Sequence, residues 1–144
     1  MPTRSATTTW SGGLQDGAGR VELSSSKAGS YDVSFPRRAA DDAEGVTSPE
    51  ELIAAAHSAC YAMQFSALLG QAGGKDISLD VSADVSLAPD PAGGFRISGI
   101  VLHVRGGATG LDAAAFAGVA EDAKNSCPVS KALTGTTITL DVQG

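Results

Sequence analysis

Apolar and polar residues alternate along two stretches in the second half of the chain. Residues 77–87 alternate without a break, and this period of two predicts a half-buried strand. After a segment rich in Pro and Gly at 88–94, alternation resumes over 95–105 as the returning strand of a long antiparallel hairpin. The phase of the second strand shifts at Gly99, so we expect a β-bulge there that keeps its apolar side chains on one face.

A run without charged residues at 52–69 predicts a long helix. Its start carries Ser48 as the N-cap, Pro49 as the first helical residue and Glu51 at the third position, which is the pattern of a capping box. The run is as long as a membrane span, but it is rich in alanine and polar side chains are scattered through it. We therefore expect a buried helix in a protein that does not cross a membrane.

The remaining elements follow from the same two periodicities. In chain order they are strands at 21–23 and 31–35, an amphipathic helix from Leu111, a short helix from Pro128 and a strand at 136–142. Residues 39–46 are expected to form an exposed loop. This order of strands and helices predicts an α+β fold, and 144 residues are most simply one domain spanning 1–144.

Charge and cysteine content limit the class of partner. Ten basic residues against sixteen acidic ones give a net charge of −6, which repels phosphate backbones, so we expect no nucleic-acid partner. The N-terminus lacks the apolar stretch of an export signal, which predicts a cytoplasmic protein. In a reducing cytosol, two cysteines are more often catalytic, redox-sensing or metal-binding than a structural bridge.

The two cysteines, Cys60 and Cys127, lie in different local settings. Cys127 precedes Pro128 at a predicted helix start, where the helix dipole favours the thiolate. Cys60 lies inside an apolar helix, where burial favours the neutral thiol unless a cation is brought to it. Arg37 and Arg38, on the loop ahead of the long helix, are the nearest arginines in the sequence. On local physics alone, Cys127 is the more reactive thiol.

The segments around the two cysteines resemble a known family. Residues 48–60, SPEELIAAAHSAC, and 123–130, AKNSCPVS, are similar to the OsmC/Ohr family of thiol peroxidases, and more so to its OsmC branch. The resemblance implies an α+β fold in which an antiparallel sheet holds a long central buried helix, assembled as an intertwined homodimer. It also implies an enzyme that reduces organic hydroperoxides, and hydrogen peroxide to a lesser degree, without a cofactor or metal.

The resemblance assigns a role to each candidate site residue. Cys60 would attack the peroxide, and Cys127 would resolve the oxidised Cys60 as a disulfide, which reverses the order expected from local physics. Arg38 would hold Cys60 as a thiolate, with Arg37 as a possible substitute, and Glu50 would orient the guanidinium. The electrons would come from a dithiol, such as a lipoyl-bearing protein.

Helix geometry adds an expectation about assembly. Glu50 and Cys60 are ten residues apart, which is about 15 Å along a helix, so they cannot meet within it. If both serve one site, Glu50 comes from a second subunit. A homodimer with two sites built across its interface satisfies this condition.

Three alternative hypotheses use the same residues. His57 stands three residues before Cys60, and a Cys-His pair could serve a non-redox thiol hydrolase, although a core histidine is the more common case. A non-catalytic redox sensor would need only the disulfide. His103 falls on the polar side of its strand, where plain solvent exposure is expected. A zinc site is disfavoured because the ligands include no closely spaced pair.

Overall fold

The computed structural model describes residues 1–144, and its contacts divide them into two compact units, Met1–Leu52 and Ile53–Gly144. Each unit contains one three-stranded sheet. The boundary falls inside the long helix, which runs from Pro49 to Gln71.

The first unit is built on an antiparallel sheet of strands β1 (Thr7–Ser11), β2 (Ala18–Glu22) and β3 (Ser30–Val33). The two strands predicted from alternation are confirmed as β2 and β3, which pair with each other. Strand β1 was not predicted, because its sequence is polar and all five of its residues are exposed. Val21 is the one buried apolar side chain in this unit, so the sheet rests on a small core.

A short helix, α1 (Phe35–Arg38), follows β3. The sequence had placed Phe35 in a strand and both arginines on a loop, and the structure corrects both expectations. The Ser34 side chain accepts a hydrogen bond from the Arg37 N–H, and Pro36 suits the first turn of a helix, so α1 has its own start signal. The predicted loop after it is confirmed, since residues 39–45 are exposed.

Helix α2 (Pro49–Gln71) begins where its sequence signature placed it. The Ser48 hydroxyl accepts a hydrogen bond from the Glu51 N–H at 3.2 Å, which confirms the N-cap. The reciprocal half of the expected capping box is wrong, because the Glu51 carboxylate accepts instead from the Thr47 hydroxyl. The Glu50 carboxylate also forms a hydrogen bond with the Ser48 side chain.

The second unit contains a sheet of β4 (Lys75–Pro89), β5 (Phe95–Thr109) and β6 (Ile138–Gln143). The long antiparallel hairpin of β4 and β5 is confirmed, and β6 adds to β5 in parallel. The predicted bulge is also confirmed: Ser86 pairs with Gly99 while Leu87 pairs with Ile97, which leaves one extra residue on β5.

Helices α3 (Ala113–Ser126) and α4 (Pro128–Ala132) complete the second unit, in agreement with the predicted helix starts. They meet at Cys127. With one face of α2 and the inner face of β5 they form a single hydrophobic core. Its members are Tyr61, Phe65, Leu69, Leu102, Val104, Phe116, Ala120, Ala123 and Cys127.

Helix α2 buries one stripe and exposes another. Tyr61, Phe65 and Leu69 recur every four residues and are fully buried. The opposite stripe of Ala55, Ala59, Met63 and Ala67 is exposed, and Met63 retains 74% of its accessible surface. By length and composition α2 is able to cross a membrane, yet its buried stripe is that of a core helix in a soluble protein.

Candidate active site

The two sulfur atoms lie side by side in the second unit. Cys60 is on α2 and Cys127 is at the junction of α3 and α4, and their Sγ atoms are 3.0 Å apart without a covalent bond. Pro128 has no N–H to continue α3, so the chain turns at Cys127, which ends one helix and caps the next. This junction brings together two residues that are 67 positions apart in the sequence.

The two thiols differ in exposure. Cys127 is fully buried, with 0% of its surface accessible, whereas Cys60 is partly exposed. A molecule arriving from solvent therefore meets Cys60 first.

The surroundings of Cys60 in this unit favour its neutral thiol. Burial raises the pKa of Cys60, and the hydrogen bond with Cys127 raises it further. The backbone N–H of Val129, in the first turn of α4, hydrogen-bonds to the Cys60 sulfur and lowers the pKa in part. None of the groups that shift this pKa is a cation. The cation expected from the sequence is therefore not among the groups that shift the pKa of Cys60 in this chain.

Arg38 and Glu50 form a close ion pair in the first unit. The Arg38 Nε atom is 3.0 Å and 3.1 Å from the two carboxylate oxygens, and a terminal guanidinium nitrogen is 2.7 Å from Oε1. Burial acts to raise the pKa of Glu50, but the hydrogen bonds and charge of Arg38 outweigh it, so this pKa lies below its usual value. Glu50 is thus an ionised carboxylate that fixes one orientation of the guanidinium.

Arg37 has a different partner. Its guanidinium binds the Glu44 carboxylate at 2.8 Å and the Asp42 carbonyl oxygen at 3.2 Å, both on the exposed loop. Of the two arginines that the sequence left open, Arg38 is the one joined to Glu50.

An apolar groove of about 440 Å³ lies in the first unit beside Arg38. Its walls include Trp10, Val21, Phe35 and Leu52. A guanidinium at the edge of an apolar groove suits a ligand with a hydrocarbon body and a polar oxygen-bearing end.

His57 is a core residue, which is the more common case for a histidine within a buried helix and was expected from the sequence. It is fully buried, its Nε2 atom is 2.7 Å from the Ser130 hydroxyl, and its Nδ1 atom has no hydrogen-bond partner. Burial lowers the pKa of His57, so the ring is neutral at neutral pH. Because neither ring nitrogen is bonded to Cys60, the Cys-His pair required for a thiol hydrolase is absent.

His103 is more constrained than the expected solvent-exposed side chain. Its Nδ1 atom is 3.0 Å from Asp141 and its Nε2 atom is 2.8 Å from Asp84, so the ring bridges β6 and β4 across β5. The hydrogen bonds to Asp141 and then Asp84 raise the pKa of His103.

Sequence reasoning missed the polar contacts that surround the thiol pair. Ser130 binds His57, and the Gln64 amide donates to the Ser126 hydroxyl at 3.0 Å. The one signal available was spacing: a polar residue stands three or four positions from Cys60 on either side, and serines flank Cys127.

Comparison with known proteins places this chain in a family. The model of the family described as OsmC-like protein matches residues 41–142. A protein of Escherichia coli strain K12 named Peroxiredoxin OsmC is 42% identical over 134 residues, covering 93% of this chain and 91% of that one. The protein described here belongs to the OsmC-like family.

Two further comparisons extend to the Ohr branch. The organic hydroperoxide resistance protein of Xanthomonas axonopodis pv. citri is 33% identical over 116 residues, 78% of each chain. The crystal structure of an organic hydroperoxide resistance protein OsmC from Legionella pneumophila superimposes with a TM-score of 0.79 at 27% identity, covering 100% of this chain and 98% of that one. The fold is therefore that of OsmC/Ohr proteins.

Proposed function

We propose that this protein is a thiol peroxidase that reduces organic hydroperoxides and, to a lesser degree, hydrogen peroxide. The observation that carries the proposal is the thiol pair: an accessible sulfur lies 3.0 Å from a buried one. The names of its relatives, a peroxiredoxin and an organic hydroperoxide resistance protein, support the same activity. The apolar groove beside Arg38 supports a preference for organic substrates.

In the first step the Cys60 thiolate attacks the distal oxygen of the hydroperoxide. The O–O bond breaks, the leaving alkoxide takes a proton to become the alcohol, and Cys60 becomes a sulfenic acid. Cys60 performs this step because it is the accessible sulfur.

In the second step Cys127 attacks the Cys60 sulfenic sulfur and water leaves, which forms a disulfide. A covalent S–S bond is about 2.05 Å long, so the sulfurs must approach by roughly 1 Å from their 3.0 Å separation. Burial of Cys127 protects it from direct oxidation until that moment. A dithiol such as a lipoyl group would then reduce the bridge and restore both thiols.

Arg38 supplies the cation that Cys60 lacks within its own unit. It would hold Cys60 as a thiolate and stabilise the charge that develops on the peroxide oxygens, while Glu50 holds the guanidinium in place. Because ten helical residues separate Glu50 from Cys60, the Arg38–Glu50 pair of one subunit would serve the Cys60 of a second subunit.

A homodimer built around α2 follows from this arrangement. The exposed stripe of Ala55, Ala59, Met63 and Ala67 is an apolar face that supports burial against a second copy. Both units would then act as one domain, since the family match at 41–142 spans the boundary between them. Two free cysteines suit a reducing cytoplasm.

Stopped-flow mixing of the reduced protein with cumene hydroperoxide and with hydrogen peroxide tests the activity. Cys60→Ser should abolish peroxide consumption, and with a dithiol present the wild type should turn over whereas Cys127→Ser should stall after its Cys60 has been oxidised. Mass spectrometry should find the Cys60–Cys127 bridge in the unmodified protein. A hydrolase would be indifferent to Cys127→Ser, and a sensor would show no turnover with any dithiol, so either result would refute the proposal.

Mixing two inactive variants tests the shared site. Arg38→Met should have little activity and Cys60→Ser none, but a mixed dimer would combine the Arg38 of one chain with the Cys60 of the other. An equal mixture, exchanged to equilibrium, should recover about a quarter of the wild-type activity, since half of the dimers are mixed and each has one intact site. No recovery in demonstrably mixed dimers would exclude a site built across the interface.

A further inference from the structure

Two side-chain hydrogen bonds cross between helices on either side of the sulfur pair. His57, three residues before Cys60, binds Ser130, three residues after Cys127. Gln64, four residues after Cys60, binds Ser126, immediately before Cys127. The two contacts therefore flank the place where α2 meets the junction of α3 and α4.

The His57–Ser130 contact is the buried member of this set. His57 is 0% exposed and Ser130 is 5% exposed, so their 2.7 Å hydrogen bond is shielded from water. A bond in such surroundings is electrostatically stronger than one at the surface. It joins α2, a helix of 23 residues, to α4, a helix of five.

Helix α4 depends on outside contacts for its orientation. It is a single turn, which is too short to be stable alone, and the Cys127 side chain makes no capping hydrogen bond to it. Yet this turn carries two groups that hydrogen-bond to the Cys60 sulfur: the Cys127 Sγ atom at its start and the backbone N–H of Val129. Whatever holds α4 in place also determines the geometry around Cys60.

We propose that His57 is a positioning residue for disulfide formation: through Ser130 it holds the first turn of α4 against α2, so that Cys127 stays in reach of Cys60. The inference rests on the proposed peroxidase function, of which it deepens the second step. His57 exchanges no proton with either sulfur in this role. It acts as a neutral ring that fixes a distance between two backbone segments.

The unpaired Nδ1 atom supports a positional role over a simply stabilising one. A buried ring nitrogen without a partner costs free energy, and an apolar side chain in this core would avoid that cost. The compensating contact is the one directed bond to Ser130. The histidine therefore provides orientation to the turn that bears Cys127, at some expense to the stability of the core.

Loss of this contact has a chemical signature. The Cys60 sulfenic acid can react with the Cys127 thiol to give a disulfide and water, or with a second hydroperoxide to give a sulfinic acid and an alcohol. If α4 is no longer held, the first reaction slows and the second does not. The ratio of disulfide to sulfinic acid then falls, and a merely destabilised core would not change that ratio in the folded protein.

The experiment measures each step separately in His57→Leu and Ser130→Ala. Stopped-flow mixing with cumene hydroperoxide gives the rate of Cys60 oxidation, and quenched samples analysed by mass spectrometry give disulfide and sulfinic acid. We expect the rate of disulfide formation, relative to that of Cys60 oxidation, to fall about fivefold in each variant, the scale of one lost hydrogen bond. The double variant should fall no further than either single one, because both remove the same contact.

Tyr61→Phe is the matched control. The Tyr61 hydroxyl donates to the Ala120 carbonyl oxygen at 2.8 Å, which is another buried hydrogen bond from α2, but it reaches α3 and not α4. This variant should lower the melting temperature about as much as Ser130→Ala does, because each removes one buried hydrogen bond, and should leave the product ratio at the wild-type value. If His57→Leu does not fold, Ser130→Ala tests the same contact, because it removes only the hydroxyl oxygen and its ratio of disulfide to sulfinic acid can still be measured.

The results distinguish a failure of the positioning role from a failure of the proposed peroxidase function. A wild-type product ratio in Ser130→Ala, or an equal shift in Tyr61→Phe, would overturn the positioning role and leave the peroxidase intact. If the wild-type protein consumes no hydroperoxide, the proposed function itself fails. A reduced ratio confined to His57→Leu and Ser130→Ala supports the inference.

Discussion

The two units of this protein hold their polar and reactive groups by different kinds of contact. The first unit has a thin core and presents a well-fixed cation, Arg38, held by Glu50. The second unit has a dense aromatic and aliphatic core that contains Cys127 and against which Cys60 packs, and no cation contributes to the pKa of Cys60. The difference teaches that a buried thiol and an ionised guanidinium are held in place by different forces. Packing positions the sulfurs, while ion pairing positions the charge.

The largest expected effect is on the core of the second unit. Phe65 is fully buried and stacks on Phe116 with ring centroids 5.0 Å apart. Phe65→Ala should lower the free energy of unfolding by about 3–5 kcal/mol. Val21→Ala in the thin core of the first unit should cost about 1 kcal/mol. Urea denaturation followed by circular dichroism, at one protein concentration, measures both, and equal losses would contradict the contrast between the cores.

The next effect is loss of the cation of the first unit. Arg38→Met should reduce the second-order rate constant for cumene hydroperoxide about 100-fold, the scale of removing one preorganised charge stabiliser. It should also raise the pH at which Cys60 is alkylated by iodoacetamide. Arg37→Met is the control, because Arg37 is bound to Glu44 on the exposed loop and should change either value little. Similar losses in the two variants would show that the ion pair with Glu50 does not identify which arginine acts on Cys60.

A smaller effect is expected when the guanidinium is kept but its anchor is removed. Glu50→Gln should lower the same rate constant about tenfold, since Arg38 remains but is less well oriented. The pKa of Glu50 is lowered in the folded protein, so its ion pair stabilises the fold above the unfolded-state pKa and is lost as pH falls through the folded value. The stability difference between wild type and Glu50→Gln should therefore vanish in acid. A difference that persists in strong acid would mean that the glutamine affects stability by another route.

The smallest effect is on the outer face of the second sheet. The pKa of His103 is raised by its hydrogen bonds to Asp141 and Asp84, so its stabilising contribution is complete below the unfolded-state pKa and is lost as pH rises through the folded value. The melting temperature of the wild type exceeds that of His103→Asn at low pH, and this difference should shrink as the pH rises from about 6 to about 8. A difference that is flat across this range would show that the bridge between the strands does not depend on the imidazolium.

The second unit was the more predictable of the two from sequence. Its hairpin alternates over residues 77–87, and the shift of phase at Gly99 marked a real bulge. Strand β1 was missed because its residues are polar and exposed, and α1 because four residues are too few to show a helical period. The parallel pairing of β6 has no local signal, since alternation does not depend on strand direction.

The candidate site was predictable only in part. Local physics ranked Cys127 as the more reactive thiol, and the family resemblance reversed that order. Proximity of the sulfurs depends on contacts between residues 67 positions apart, which no local pattern encodes. The same holds for the His57–Ser130 contact, because its partners are 73 positions apart. The structure adds the contrast in exposure that distinguishes the two thiols.

Cys127 is shared by α3 and α4, so a change in its position affects both helices. Its N–H donates to the Ala123 carbonyl in α3, and its own carbonyl accepts from the Lys131 N–H in α4. Any backbone movement of Cys127 that accompanies formation of the proposed disulfide would be passed to both helices, because they share this residue. The angle between α3 and α4 would then depend on whether the two sulfurs are joined, and a reducing partner could recognise that angle.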